Sequence, residues 1–264
     1  HLVYPVPLHT RFHHAIWAMH LMQEAILTLK QKGIRITKNE EQAVLIAILL
    51  HDIGHGPFSH ALEHSLVKGI NHETISSLLM AKLNQEFKGK LKLAIEVFNG
   101  DYKKQFLHQL VSSQLDMDRL DYLKRDSFFT GVSEGVISSD RIIKMLNVVE
   151  NELVVEQKAI YSIEKFLIAR RLMYWQVYLH KTVLSAETLL VNVLKRAKEL
   201  TAQGHELFAT PALQLFLKND FTKIDFEKNS SLLVQFSKLD DNDVVASIKV
   251  WSNHEDKILA RLCS

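Results

Sequence analysis

The sequence predicts a mainly α protein carrying one small β-hairpin. Three observations point there. The chain has 264 residues with only 9 Gly and 4 Pro, and no Pro falls between Pro57 and Pro211, whereas a sandwich or barrel of many short strands needs such turn residues at short intervals. Apolar residues recur at helical spacing, as in Phe12, Ile16, Met19 and Met22. Helix-start patterns precede the apolar runs, as Thr37-Lys-Asn-Glu40 does.

Taken in order, Thr10 caps a helix that runs to about Lys32 and stops at Gly33. The capping box at Thr37 opens a second helix through the unbroken apolar run Ala43–Leu50. A run this continuous suits a helix buried nearly all round. Gly54-His-Gly-Pro57 ends it. Helical patterns follow at about 58–68, 72–87, 91–99, 103–127 and 138–147. Glu152–Glu156 and Ala159–Ile163 read as the two strands of the hairpin, with Gln157-Lys158 as the turn. A long helix spans about 164–202, and shorter helices with polar joints fill 205–264. There is no internal repeat and no low-complexity linker.

Composition narrows the function classes. With 47% hydrophobic residues the chain can bury a full core, in one large domain or one domain plus a small lobe. Disordered and collagen-like classes are excluded. The formal net charge of +2 does not by itself imply nucleic acid or a membrane surface. The eight-residue run at Ala43–Leu50 is too short to span a bilayer, and no secretory leader opens the sequence. The single Cys263 forms neither an internal disulfide nor a cysteine-built zinc site, so a reducing cytoplasm is expected. Because the chain opens at His1 without Met, residues are expected to be missing before it.

The anomaly is histidine. Ten of the 14 fall in the first 72 residues: His1, His9, His13, His14, His20, His51, His55, His60, His64 and His72. His51-Asp52 closes the buried helix, where ionisable groups are costly unless paired or metal-bound. Imidazole and carboxylate suit Zn, Mn, Fe, Ni or, with more oxygen donors, Mg. Two adjacent residues do not complete a site. The other contributors available are His14 and an acid from Asp116-Met-Asp118-Arg-Leu-Asp121. Taken alone, a His-Asp pair is more often an ordinary helix-end pair.

Its surroundings carry a resemblance. His51-Asp-Ile-Gly-His-Gly-Pro-Phe-Ser-His60 resembles the signature of HD-domain metal-dependent phosphohydrolases, in the branch of deoxynucleoside triphosphate triphosphohydrolases that holds the sterile-alpha-motif/HD-domain dNTPases and their bacterial relatives. His9-Thr-Arg-Phe-His-His14 resembles the family's first-histidine motif, and Asn71-His72-Glu73 its His-Glu element. Leu115–Asp126 resembles its last-aspartate helix, and Arg170 with Tyr174–Lys181 falls where the family has a nucleotide-contacting helix. Order and spacing agree over about 3–190, and several ordered motifs are far more specific than one His-Asp pair.

The resemblance implies an HD-domain helical core over 1–190 and a helical extension over 191–264. It implies four ligands, His14, His51, Asp52 and Asp118, for a divalent ion (Mn, Fe, Mg, Zn, Ni or Co). It implies hydrolysis of dNTPs to deoxynucleoside and inorganic triphosphate by metal-bound hydroxide attacking the α-phosphorus. By position, His55 and His72 are catalytic histidines, either being the acid for the leaving oxygen, and Glu73 orients a histidine. His60 contacts phosphate or sugar. Arg11, one turn before His14, suits phosphate oxygens, although an ion pair with a motif acid is the plainer alternative. Tyr122 and Asp126 line a nucleotide pocket or buttress neighbouring helices. Arg170 and Tyr178 match phosphate- and sugar-contacting positions, while Lys181 is a weaker match. Asp116 and Asp121 are expected to be solvated or helix-capping. Relatives form dimers and tetramers, some regulated by nucleotides, so a homo-oligomer and a nucleotide activator are expected.

The departures are His13 where the family has Glu, Ala15-Ile16-Trp17 where it has small residues, and Tyr4-Pro-Val-Pro7 without the expected Gly. The element that helps select a deoxy sugar would precede His1. Two other functions remain open. One is an HD-type phosphohydrolase acting on a monophosphate or signalling nucleotide, since the metal sets the chemistry and the pocket the substrate. The other is a nucleotide- or single-stranded nucleic-acid-binding module using Lys88-Gly-Lys-Leu-Lys92, Lys103-Lys104 and Lys195-Arg-Ala-Lys198. Such short basic runs are usually solvated faces, and no aromatic interleaving marks a base-stacking groove.

Overall fold

A computed structural model describes residues 3–4, 9–58, 62, 65–67 and 69–264. Among the described residues there are fourteen α-helices and one two-stranded antiparallel hairpin, as the composition predicts. The chain divides into two compact units. The first comprises His1–Asp52 and Leu83–Val183, and the second Ile53–Lys82 and Leu184–Ser264. The second unit thus takes an early segment along with the C-terminal part. A single cut at 190/191 does not separate them.

In the first unit, α1 (Arg11–Gln31) and α2 (Lys38–Leu50) start at the expected caps. Both are capping boxes. At α1 the third position is His13, whose Nδ1 accepts from the Thr10 backbone N–H at 3.2 Å. An imidazole thus closes this capping box. Gly33 follows α1 at φ +84°, the left-handed region that favours glycine. On α2, Ala43, Val44, Ala47 and Ile48 are buried and Leu45, Ile46, Leu49 and Leu50 half-buried, matching the predicted all-round burial. Against α1 and α2 pack α4 (Lys92–Asn99), α5 (Gln105–Val111), α6 (Met117–Thr130) and α7 (Ser139–Lys144), and α8 (Ile160–Met173) packs on α6 and α7. Met22, Ile26, Val44, Ile48, Leu107, Leu120, Leu123 and Phe166 centre this core.

Three expectations need correction. The predicted helix over 103–127 is two helices. Asp116 breaks it, because its carboxylate accepts from the Ser113 N–H at 2.8 Å and the Arg119 N–H at 2.7 Å and so starts α6 afresh. The hairpin lies earlier than expected, as β1 (Leu146–Val149) and β2 (Glu152–Val155), with Leu146 facing Val155. Its turn is Glu150-Asn151, both at positive φ (50° and 70°), as a two-residue hairpin turn requires. Residues 160–163 are instead the first turn of α8. The long helix of 164–202 is also interrupted. A widened π turn, Tyr174–Tyr178, ends α8, with the Leu179 N–H reaching back to the Tyr174 carbonyl. α9 (Lys181–Ala202) then restarts, and His180 Nδ1 accepts from the Thr182 N–H at 3.2 Å.

The second unit has its own core of Ile75, Leu194, Leu213, Phe216, Phe226, Phe236 and Trp251. Phe216 is the hub of its aromatic packing, against Phe221, Phe226 and Phe236. α3 (His72–Glu86) begins here, and α10 to α14 (Pro211–Lys218, Lys223–Lys228, Ser230–Phe236, Asp241–Trp251 and Lys257–Cys263) complete it. The helix expected over 58–68 falls largely on residues outside those described.

Candidate metal centre

Three helix ends of the first unit bring three donors together. His14 is the N-terminal member of the buried stripe of α1, which continues through Ala18, Leu21, Met22 and Ala25. His51 caps the C-terminus of α2, in line with its buried Val44, Ala47 and Ile48. Asp118 sits in the first turn of α6, where the helix dipole favours a carboxylate. Their donor atoms lie within 4.8 Å of one another. His14 Nε2 is 3.1 Å from Asp118 Oδ1, and His51 Nε2 is 3.6 Å from the same oxygen.

The far side of each imidazole determines which nitrogen faces inward. His51 Nδ1 donates to the Ile48 carbonyl at 2.6 Å. His14 Nδ1 donates to Asp121 Oδ2 at 2.6 Å. Both Nε2 atoms therefore point their lone pairs at the centre, the tautomer a metal ligand needs. The expectation for Asp121 fails at this point. Asp121 is buried, with no exposed surface, and neither solvated nor capping. Asp116 does cap α6. The available signal is the helical i, i+3 offset from Asp118 with a basic residue at i+7.

The residues fit a divalent ion. Donors about 2.1 Å from one shared ion stand roughly 3.0–3.4 Å apart, close to the 3.1 and 3.6 Å that separate the two imidazoles from Asp118. Electrostatics agree. Burial alone would lower the pKa of His14, yet Asp118 and Asp121 push it up to about 10. Burial likewise opposes charge on His51, while Asp118 and Asp52 raise its pKa. Asp118 is held well below the usual carboxylate range by the two histidines, against its own burial. The cluster attracts positive charge, and a divalent cation would bind by displacing those protons. HD domains depend on a divalent metal, and His14, His51 and Asp118 are positioned to hold one.

Asp52 stands beside this set. Its Oδ1 is 3.4 Å from His51 Nε2, and its Oδ2 accepts from Arg11 Nη1 at 2.8 Å. Arg11 thus makes the ion pair with a motif acid that the sequence left open. Farther along α6, the expected pocket residues come together. Tyr178 donates to Asp126 Oδ2 at 2.6 Å, and His9 Nε2 lies 3.1 Å from Asp126 Oδ1. Tyr122 meets the Tyr178 ring edge-on at 6.0 Å. Burial pushes the Asp126 pKa up, against the Tyr178 hydroxyl and His9. Arg170 donates to Gln114 at 3.2 Å and lies over the Tyr174 ring. His9, from the motif His9–His14, and Tyr174, from the segment Tyr174–Lys181, join these contacts, although the sequence assigns neither a role of its own.

His55, His72 and Glu73 belong to the second unit. The His55 and His72 rings stack at 3.8 Å with an interplanar angle of 15°. Gly54 makes this possible. A Cβ there would lie 2.2 Å from the His72 carbonyl oxygen and 2.3 Å from the Ser76 nitrogen, so only glycine lets the turn lie directly on the start of α3. The Gly54 N–H donates to Ser76 Oγ at 2.9 Å. Glu73 is exposed in the first turn of α3. His60 lies outside the described residues.

Comparison with known proteins agrees with this geometry. Residues 11–126 match the HD domain model, and residues 137–212 match the HD associated region. The uncharacterised protein YwfO of Bacillus subtilis is 32% identical over 97% of this chain and 58% of its own length. A deoxynucleoside triphosphate triphosphohydrolase SAMHD1 homologue of Dictyostelium discoideum is 29% identical over 78% of this chain and 43% of its own. A crystal structure of a phosphohydrolase from Bacteroides thetaiotaomicron superposes with a TM-score of 0.96 at 59% identity, covering 99% of this chain and 65% of that one. The chain thus spans 65% of the length of these relatives or less. All three metal donors fall inside the HD match, on the helices that carry the motif, and the chain therefore belongs to the HD-domain family.

Proposed function

We propose that the chain is a metal-dependent phosphohydrolase that cleaves dNTPs to the deoxynucleoside and inorganic triphosphate. The observation that carries the reading is the convergence of His14, His51 and Asp118 within an HD domain. The choice of dNTP is supported by the Dictyostelium relative's name. A bound divalent ion supplies Lewis acidity toward a phosphoryl oxygen and lowers the pKa of water. Asp52 Oδ1 is the fourth donor in this reading. Arg11 turns from Asp52 to the triphosphate, and Arg170 meets the same charge. Tyr122, Tyr178 and Asp126 hold the sugar, with Asp126 exchanging one of its present partners, His9 or Tyr178, for a sugar hydroxyl. His55 or His72 delivers the proton to the leaving oxygen, with Glu73 and His60 as accessory contacts.

The same reading includes a homo-oligomer, a nucleotide activator and a cytoplasmic place of action. Self-association is supported by the exposed Tyr161, Leu167, Ile168 and Trp175 of the α8 segment. No helix among the described residues is long and apolar enough to cross a membrane. The basic run at 195–198 is neutralised locally, because Arg196 pairs with Asp256 and Glu199, and Lys198 with Asp220. That argues against a nucleic-acid groove there. A second reading, another nucleotide as substrate, is favoured by the Bacteroides relative, whose name specifies a phosphohydrolase and no nucleotide.

The test supplies the protein with Mn, Mg, Fe, Co, Ni or Zn and with each dNTP, NTP, monophosphate and cyclic nucleotide, and resolves the products by chromatography. Deoxynucleoside and intact triphosphate are expected. Release of orthophosphate from monophosphates alone would establish the second reading and end the first.

A further inference from the structure

The buried pair Asp121–Arg125 is used by no step of the proposed chemistry, yet it touches the centre directly. Asp121 is completely buried, and a lone carboxylate there would be strongly unfavourable. Arg125 resolves this with a two-pronged grip. Its Nε donates to Asp121 Oδ2 and its Nη2 to Asp121 Oδ1, each at 2.9 Å. Arg125 Nη2 also donates to the His13 carbonyl at 3.2 Å, which ties the grip to the first turn of α1. The remaining bond of Asp121 goes to His14 Nδ1, at 2.6 Å. A buried ion pair is rarely more stabilising than apolar residues of the same volume, so stability alone does not account for this one.

We infer that Asp121, clamped by Arg125, is a positioning residue that fixes the His14 ring and tautomer so that Nε2 faces Asp118 and His51. The inference rests on the metal-centre reading above. The two histidines are fixed by different means. His51 is held at Nδ1 by the carbonyl of Ile48, one turn back on its own helix. His14 is held from another helix, α6, which also carries Asp118. One helix therefore sets both a ligand and the orientation of a second ligand. A shift of α6 against α1 would misplace two of the three donors together. A carboxylate at Nδ1 also makes the imidazole a stronger donor than a carbonyl does.

The experiment titrates Mn2+ and Co2+ calorimetrically into the metal-stripped chain and records the visible spectrum of the Co2+ form. Asp121→Asn is compared with wild type. The double variant Asp121→Asn, Arg125→Met removes both charges, so that no unpaired guanidinium is left to unfold the protein. Asp121→Glu tests partial rescue. The expected result is a loss of affinity of about 10- to 100-fold in Asp121→Asn and in the double variant, with a changed Co2+ spectrum and an unchanged far-UV circular dichroism spectrum. Wild-type affinity and spectrum in the folded double variant would overturn the inference and leave the metal centre standing. Absence of metal binding in the wild type would overturn both.

Discussion

His14, His51 and Asp118 gain their meaning from what lies behind them. Each ring has one nitrogen fixed by an acceptor, a carbonyl for His51 and a carboxylate for His14, and this leaves the other nitrogen committed to the centre. The donors are legible in the sequence through the family resemblance, because the residues alone leave the acid open among Asp116, Asp118 and Asp121. Asp121 was not legible. An acid three positions after a ligand has no sequence mark that separates a solvated carboxylate from a buried one gripped by arginine. Arg11 shows the same limit, since its spacing places it on the His14 face but not whether it meets phosphate or Asp52. At this scale we predict that Tyr178→Phe, which removes the donor to Asp126, raises KM for the nucleotide about tenfold, the worth of roughly 1.4 kcal/mol. Steady-state kinetics check this, and an unchanged KM would place Tyr178 outside the pocket.

Helix starts are legible in the sequence where caps mark them, and breaks are not where they come from a side chain acting on the backbone. Thr10 and Thr37 are written as caps. The break at Asp116 and the restart at His180 depend on a carboxylate and an imidazole finding backbone N–H groups, which helical periodicity does not reveal. The hairpin slipped toward the C-terminus because β-branched and aromatic residues continue past β2 into α8, while its true turn lay in the positive-φ pair Glu150-Asn151. Two predictions belong to this scale. Gly54→Ala drives a Cβ into the backbone of α3, so it should lower stability by about 3 kcal/mol or more and disturb the His55–His72 stack. Urea unfolding measures the loss. At the start of α2, burial opposes charge on Glu40, but Tyr102, Lys104 and Thr37 hold its pKa down to about 2 from the ordinary 4.5. A carboxylate depressed in the folded state stabilises fully above its unfolded pKa and loses that contribution as pH falls through the folded one. Glu40→Gln should therefore cost about 2 kcal/mol at pH 7, and the gap from wild type should shrink as pH falls from about 4.5 to about 2. Equal gaps at pH 7 and pH 2.5 would contradict this.

At the scale of the whole molecule, the chain crosses between its two units twice, at 52/53 and 183/184, besides the return at 82/83. The α class followed from composition and periodicity alone. The partition did not, because it depends on which helices share a core and not on any linker in the sequence. The metal donors belong to the first unit and the His55–His72 pair to the second, although His51 and His55 stand in one uninterrupted motif. Each unit has its own core, one around Ile26 and Leu120 and the other around Phe216. Phe216→Ala should cost about 3–5 kcal/mol of stability, while all three donors of the first unit remain in place. Metal titration of the folded variant should give wild-type affinity, and a large loss would show that the second core supports the centre.

The central claim is that His14, His51 and Asp118 form a metal centre on which hydrolysis depends. The most direct measurement is dNTP hydrolysis by metal-stripped protein during stepwise return of Mn2+, for wild type and Asp118→Asn in parallel. The account predicts that wild-type activity rises and saturates with bound metal, and that folded Asp118→Asn stays at least 100-fold lower at every concentration. Full activity in the stripped protein, or in Asp118→Asn, would contradict it.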